Sequence, residues 1–161
     1  MPKIKNKTIF NLIMLFSVFA LITAYFIQYV LKHQPCNLCL IERIPYIFSI
    51  IVISICLLTK KFEKMSLMIL SLIFFSATLI AFYHFGIEQG FIKESLVCDL
   101  NNEGKSLSKE ALLEQLKKMP VSCKDVTFRI FGLSLATFNV FISLTLGVIT
   151  TKLFLIYEKN R

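Results

Sequence analysis

Polar and charged positions along this chain gather in short clusters, and between them lie long runs that are almost wholly apolar. A bilayer core takes roughly 20 apolar residues to cross as a helix. Four runs are of that order: Ile9 to Leu31, about Leu40 to Thr59 with its charges Glu42 and Arg43 confined to the first turn, Met65 to Phe85, and roughly Phe128 to Thr151. Backbone groups in lipid must be satisfied within their own segment, so such runs are expected as helices rather than strands. The first run is too long for a signal-peptide core and has no small-residue cleavage site, which makes it a retained helix.

The pattern therefore predicts an all-α, integral membrane four-helix bundle, with residues 1–161 forming a single membrane domain. Two loops are expected at one end of it, over 32–39 and 86–127, and a tight basic turn, Lys60 to Lys64, at the other. Within the second loop, Leu107 to Met119 reads as a short amphipathic helix. Ser108 is its candidate N-cap, Leu107 and Leu112 its staple, and Leu112, Leu113, Leu116 and Met119 its apolar stripe, with Pro120 ending it. Such a helix suits the membrane surface, and packing against the bundle suits it equally.

Composition agrees: the chain is 56% hydrophobic and 17% charged, with sixteen Phe, well outside the soluble average. The net charge of +8 could suggest a polyanion partner, but its distribution points elsewhere. Lys3, Lys5 and Lys7 precede the first run, Lys60, Lys61 and Lys64 join the second and third, and Lys152, Lys159 and Arg161 end the fourth. By the positive-inside rule both termini are cytoplasmic. The segment Gly86 to Arg129 carries seven basic and seven acidic residues and offers nothing to nucleic acid.

That orientation gives the cysteines their meaning. Cys36 and Cys39 fall in the first outer loop and Cys98 and Cys123 in the second, facing a compartment where disulfides persist, in a bacterium the periplasm. Cys56 lies within the second run and reads as a small apolar side chain. The Cys-x-x-Cys pair closes too small a loop to stabilise much, which argues against a purely structural role. If its helix starts near Pro35, both sulfurs sit at a helix N-terminus, where the thiolate is favoured. Arg43, four residues after Cys39, shares its helical face and would stabilise that thiolate further, and an arginine at this depth is a candidate site residue in its own right. Snorkelling to the headgroups or pairing with Glu42 are its bland alternatives.

Cys98 and Cys123 enclose 24 residues. A disulfide across that loop is worth roughly 3 to 4 kcal/mol, and the polar surroundings of both cysteines suit exchange with an outside thiol as well as a structural staple. No metal is expected, because a four-cysteine zinc site normally shows two close-spaced pairs. His84 ends the third run at the same surface where the second begins, and is a candidate at a similar depth to Arg43.

The motifs PCNLCLIER (Pro35 to Arg43), YHFGIE (Tyr83 to Glu88), the Cys98-Asp99 dipeptide and SCKDVTFRIFGLSLATFN (Ser122 to Asn139) resemble the bacterial DsbB family over nearly the whole chain. The chain departs from that family in having no Trp, with Phe128 and Phe138 near places where relatives often carry one. The resemblance implies an inner-membrane, multi-pass thiol:quinone oxidoreductase. It would reoxidise a periplasmic, DsbA-like thioredoxin-fold oxidase and pass the electrons to the membrane quinone pool, ubiquinone or menaquinone, supporting protein disulfide formation. By position, Cys98 would form the mixed disulfide with the partner, Cys123 would be its mate, and the redox-active Cys36/Cys39 pair would reoxidise them. Cys39, Arg43 and, more loosely, His84 would face the quinone. Two alternatives remain at this point: a non-catalytic four-helix membrane protein with structural disulfides, and a quinone-coupled relative serving another thiol partner or running in the reductive direction.

Overall fold

Each apolar run forms a helix. In the computed structural model, which describes residues 3–59, 62–93, 123–124, 129–130 and 132–159, the helices are α1 (Lys3–Tyr29), α2 (Asn37–Ile41), α3 (Ile44–Thr59), α4 (Glu63–Glu88) and α5 (Leu135–Lys159). With α2 and α3 read as one span, four segments are long and apolar enough to cross a membrane. A two-residue antiparallel ladder precedes α5, pairing β1 (Arg129–Ile130) with β2 (Leu133–Ser134).

The element ends follow from local chemistry. Pro45 has no N–H to donate to the carbonyl of Ile41, so the second span breaks there into α2 and α3. Glu42 and Arg43 occupy the joint between the two pieces. Lys32 takes a left-handed conformation (φ 56°), which turns the chain after α1 and lets the His33 N–H reach back to the Ile27 carbonyl at 3.3 Å. The last helix starts at Leu135 rather than near Phe128, because Gly132 (φ 83°) turns the chain back on itself and Ser134 caps the helix. The Ser134 Oγ accepts the Thr137 N–H at 3.2 Å, the usual N-cap bond. At the other end, α4 runs on to Glu88, which places that carboxylate on a helix rather than in the loop expected from 86 onward.

In packing order α1 lies against α3, α3 against α4, and α4 makes its most extensive contact with α5. Phe74, Leu70 and Ile53 are fully buried, joined by Phe10, Leu67 and Cys56 in the main core. The outer surface is also apolar: Leu15, Phe19, Leu58, Leu72, Leu79 and Phe141 are all exposed, as lipid-facing residues would be. Inside, small hydroxyls take part in the helix contacts, where they allow close approach and bond across the interface. Ser49 donates to Ser17 at 3.0 Å, and Thr78 to Ser143 at 3.1 Å. The expected amphipathic helix over 107–119 lies outside the described residues.

Candidate functional site

At the end of the bundle where α2 begins, a cavity of about 290 Å³ collects most of the ionisable side chains of the interior. Its walls are apolar over Ala20, Leu21, Ala24 and Ile27 of α1 and Phe138 and Ile142 of α5. Its polar lining includes Cys36, Cys39, Arg43 and His84, all singled out from the sequence, and Cys123 joins them. Cys98 lies outside the described residues.

Cys36 is the N-cap of α2, and its sulfur accepts the Cys39 N–H at 3.2 Å. The Cys36 and Cys39 sulfurs are 2.6 Å apart and both residues are free cysteines. An S–S bond is about 2.05 Å, so the pair expected as a disulfide stands here as a dithiol. The Cys36 thiol is pulled down from its ordinary 9.0 to about 5. The hydrogen bond from the Cys39 side chain does most of this, burial works against it, and the hydrogen bond and charge of His84 add to the lowering. Cys123 is buried and disulfide-bonded, and it packs in one cluster with Cys36, Leu38 and Ile87. The segment between α4 and α5 therefore delivers a cysteine directly against the first pair.

His84, in the last turns of α4, bridges the thiols and a carboxylate. Its Nε2 is 3.5 Å from the Cys36 sulfur and its Nδ1 is 2.7 Å from Glu42 Oε1. Glu42 in turn accepts the Asn139 Nδ2 at 2.8 Å through its other oxygen, and the Tyr46 hydroxyl donates to Asn139 Oδ1. A buried chain thus runs Cys36–His84–Glu42–Asn139–Tyr46 across α2, α4, the α2–α3 joint, α5 and α3. A thiol, an imidazole and an orienting carboxylate in this order are the parts of an activated cysteine.

Arg43 does not pair with Glu42, which His84 and Asn139 occupy. Its Nη1 donates to Gln28 Oε1 at 2.6 Å and its guanidinium lies 4.9 Å from the Tyr25 ring centroid. It shares the cavity wall with Cys39, while the contacts that hold it come from α1. The residues that sequence reasoning passed over are Glu42, Glu88, Asn139, Tyr46 and Gln28. A signal for the first three was present: carboxylates and an amide at or inside apolar runs are costly there and by default mark function.

A quinone ring fits this lining. The apolar walls suit an aromatic ring, the volume lies just under the usual range of small-molecule pockets, and the Arg43 guanidinium, which spends one N–H on Gln28, has others to offer a ring oxygen.

Comparison with known proteins agrees with this arrangement. An uncharacterized protein of Rickettsia prowazekii (strain Madrid E) is 28% identical over 155 residues, covering 94% of this chain and 90% of that protein. The family model described as "Disulfide bond formation protein DsbB" matches residues 6–153, which takes in the first three spans, most of the fourth and every cysteine. With that match over nearly its full length, the chain belongs to the DsbB family of multi-pass, inner-membrane disulfide-bond oxidoreductases.

Proposed function

We propose that this protein reoxidises a periplasmic, DsbA-like thioredoxin-fold oxidase and passes the electrons to membrane quinone, with both of its own termini in the cytoplasm. The observation that carries this reading is the convergence of Cys36, Cys39 and Cys123 on one cavity to which α1 and α5 contribute mostly apolar side chains. A soluble dithiol needs a disulfide it can reach, a lipid-soluble acceptor needs one at the bilayer edge, and exchange between the two requires contact.

The partner's thiolate attacks Cys98, forming a mixed disulfide and releasing Cys123 as a thiolate; the partner's second thiol then displaces Cys98 and leaves as a disulfide. The reduced Cys98/Cys123 pair next attacks the Cys36–Cys39 disulfide in the same two-step way, recovering its own disulfide and leaving Cys36 and Cys39 as the dithiol seen here. His84, held by Glu42, takes the Cys36 proton, so that Cys36 is a thiolate when the pair is oxidised again. A bound quinone supplies the acceptor for the two electrons and two protons that the pair gives up. Cys39 and Arg43, which share the cavity wall, would hold that acceptor, and the fixed positive charge of Arg43 would favour negative charge on its oxygen, a contribution that is large in a low dielectric.

The test is an assay of the purified protein with a reduced thioredoxin-fold oxidase and ubiquinone or menaquinone, followed by quinone absorbance. Thiol-dependent quinone reduction that disappears in Cys39→Ala is the expected result. No reduction with either quinone would overturn the proposal, and a Cys39→Ala protein that loses only thermal stability would return the cysteines to a structural role.

A further inference from the structure

The same end of the bundle carries a second chemistry that disulfide exchange does not use. We infer that the reduced Cys36/Cys39 pair, together with His84 and Glu88, forms a binding site for a thiophilic divalent cation of the Zn²⁺ class, and that occupancy holds the protein in its dithiol form.

Three observations converge on this. The ligand atoms of Cys36, Cys39 and His84 lie within 4.8 Å of one another and come from two helices and a cap, so no rearrangement of the chain is needed to gather them. Glu88 stands beside this set, outside its 4.8 Å limit, and its side chain must turn to supply the fourth ligand. Its Oε1 is 3.7 Å from His84 Nε2, its side chain is only 6% exposed, and its Oε2 is buried without a hydrogen-bond partner. An unpaired carboxylate oxygen in a buried setting is costly, and a cation would satisfy it. The third observation is the orientation of His84. Its Nδ1 meets Glu42 Oε1 at 2.7 Å, so the ring donates there and points Nε2 at the thiols. Metal-binding histidines almost always donate the far N–H to a carboxylate, a backbone carbonyl or water; here it is a carboxylate, which Asn139 fixes in turn.

Two sulfurs, one imidazole nitrogen and one carboxylate oxygen make a tetrahedral set suited to a d¹⁰ ion, with bonds of about 2.3 Å to sulfur and about 2.0–2.2 Å to nitrogen and oxygen. Such a geometry sets the sulfurs about 3.7 Å apart, so they must part from their present 2.6 Å. Cys39 is the one to move, since the N-cap bond from the Cys39 N–H holds the Cys36 sulfur in place. The metal binds as two protons leave, one from Cys39 and one held between Cys36 and His84 Nε2, with no change of oxidation state. Bonded to each other, the same sulfurs cannot serve as thiolate ligands, so the site exists only in the reduced protein. Bound metal blocks the S–S bond from forming and stalls turnover. The sequence alone pointed away from zinc because only cysteines were counted; the fold exchanges the distant Cys98/Cys123 pair for a histidine and a glutamate.

Co²⁺ is the probe. Purified full-length protein is reduced with a phosphine, freed of reductant without air, and titrated with Co²⁺. The expected result is one equivalent bound with the visible bands of a tetrahedral, thiolate-rich site, displaced by Zn²⁺ and absent from the oxidised protein. The bands should vanish in Cys36→Ser and weaken in Glu88→Gln, while Cys98→Ser/Cys123→Ser retains them. Glu42→Gln should weaken affinity by about 10- to 100-fold, the usual loss for a residue behind a metal-binding histidine. Circular dichroism of each variant separates loss of the site from loss of fold. No tetrahedral spectrum, a spectrum that survives Cys36→Ser, or one unmoved by Glu88→Gln overturns the inference. Quinone reduction measured in chelator on the same preparation reports the proposed electron transfer independently, so either can fail without the other.

Discussion

His84 and Glu42, 42 residues apart in sequence, meet through a 2.7 Å contact between Nδ1 and Oε1 in the interior of the bundle. Their side chains are only 4% and 10% exposed. Through this contact a carboxylate at the joint of a broken span orients an imidazole that touches a redox thiol. The pair ties the chemistry of Cys36 to the packing of α4 against the second span.

The first prediction concerns that thiol. Replacing His84 with Gln removes a hydrogen bond and a charge that favour the Cys36 thiolate, so thiolate formation should move upward in pH from about 5 towards the ordinary thiol value. Absorbance near 240 nm during a pH titration of the reduced protein reads this directly. A curve unchanged from the parent would show that Cys39 alone sets the acidity.

Stability of the reduced form should follow the same group. Cys36 titrates near 5 in the fold and near 9.0 when free, so the unfolded chain binds the extra proton between these values. The stabilisation is fully present above pH 9, declines as pH falls, and is lost below about 5. Thermal unfolding of the reduced protein in detergent should show this rise with pH, and Cys36→Ser should flatten it.

Asn139→Leu leaves Glu42 Oε2 without the amide that now donates to it at 2.8 Å. A buried acceptor left unpaired costs about 1–3 kcal/mol, visible as a lower midpoint of unfolding. Turnover should fall as well, since Glu42 then holds His84 less firmly.

Arg43→Met should raise the KM for quinone while leaving exchange between the partner and the outer cysteine pair near its parent rate. Arg43→Lys should rescue little, because a lysine lacks the planar fork that both donates to Gln28 and stacks on Tyr25. Stopped-flow measurement of the two half-reactions distinguishes these effects, and an equal loss in both would remove Arg43 from the quinone side.

Much of this was legible in the residues themselves. A bilayer demands uninterrupted apolar length, so the four spans, the dithiol at the start of the second and the enclosure of Cys56 in apolar surroundings follow from pattern alone. Element ends were less legible. The start of α5 depends on the turn at Gly132 and the Ser134 cap, and an apolar run that passes through Phe128 gives no hint of either.

What the sequence by itself determined is the class of molecule and the presence of its thiols, because hydropathy and spacing act locally along the chain. Which side chains answer those thiols only the tertiary structure decided. Glu42 read as a neighbour of Arg43, one residue away, yet the break at Pro45 and the packing of α4 and α5 turn it to His84 and Asn139 instead. Arg43 goes to Gln28 on α1. Glu88, counted among loop charges, arrives beside His84 because α4 extends one turn further than its apolar run. Partners brought from 42 and 97 residues away are chosen by helix packing, a long-range property that no local pattern encodes.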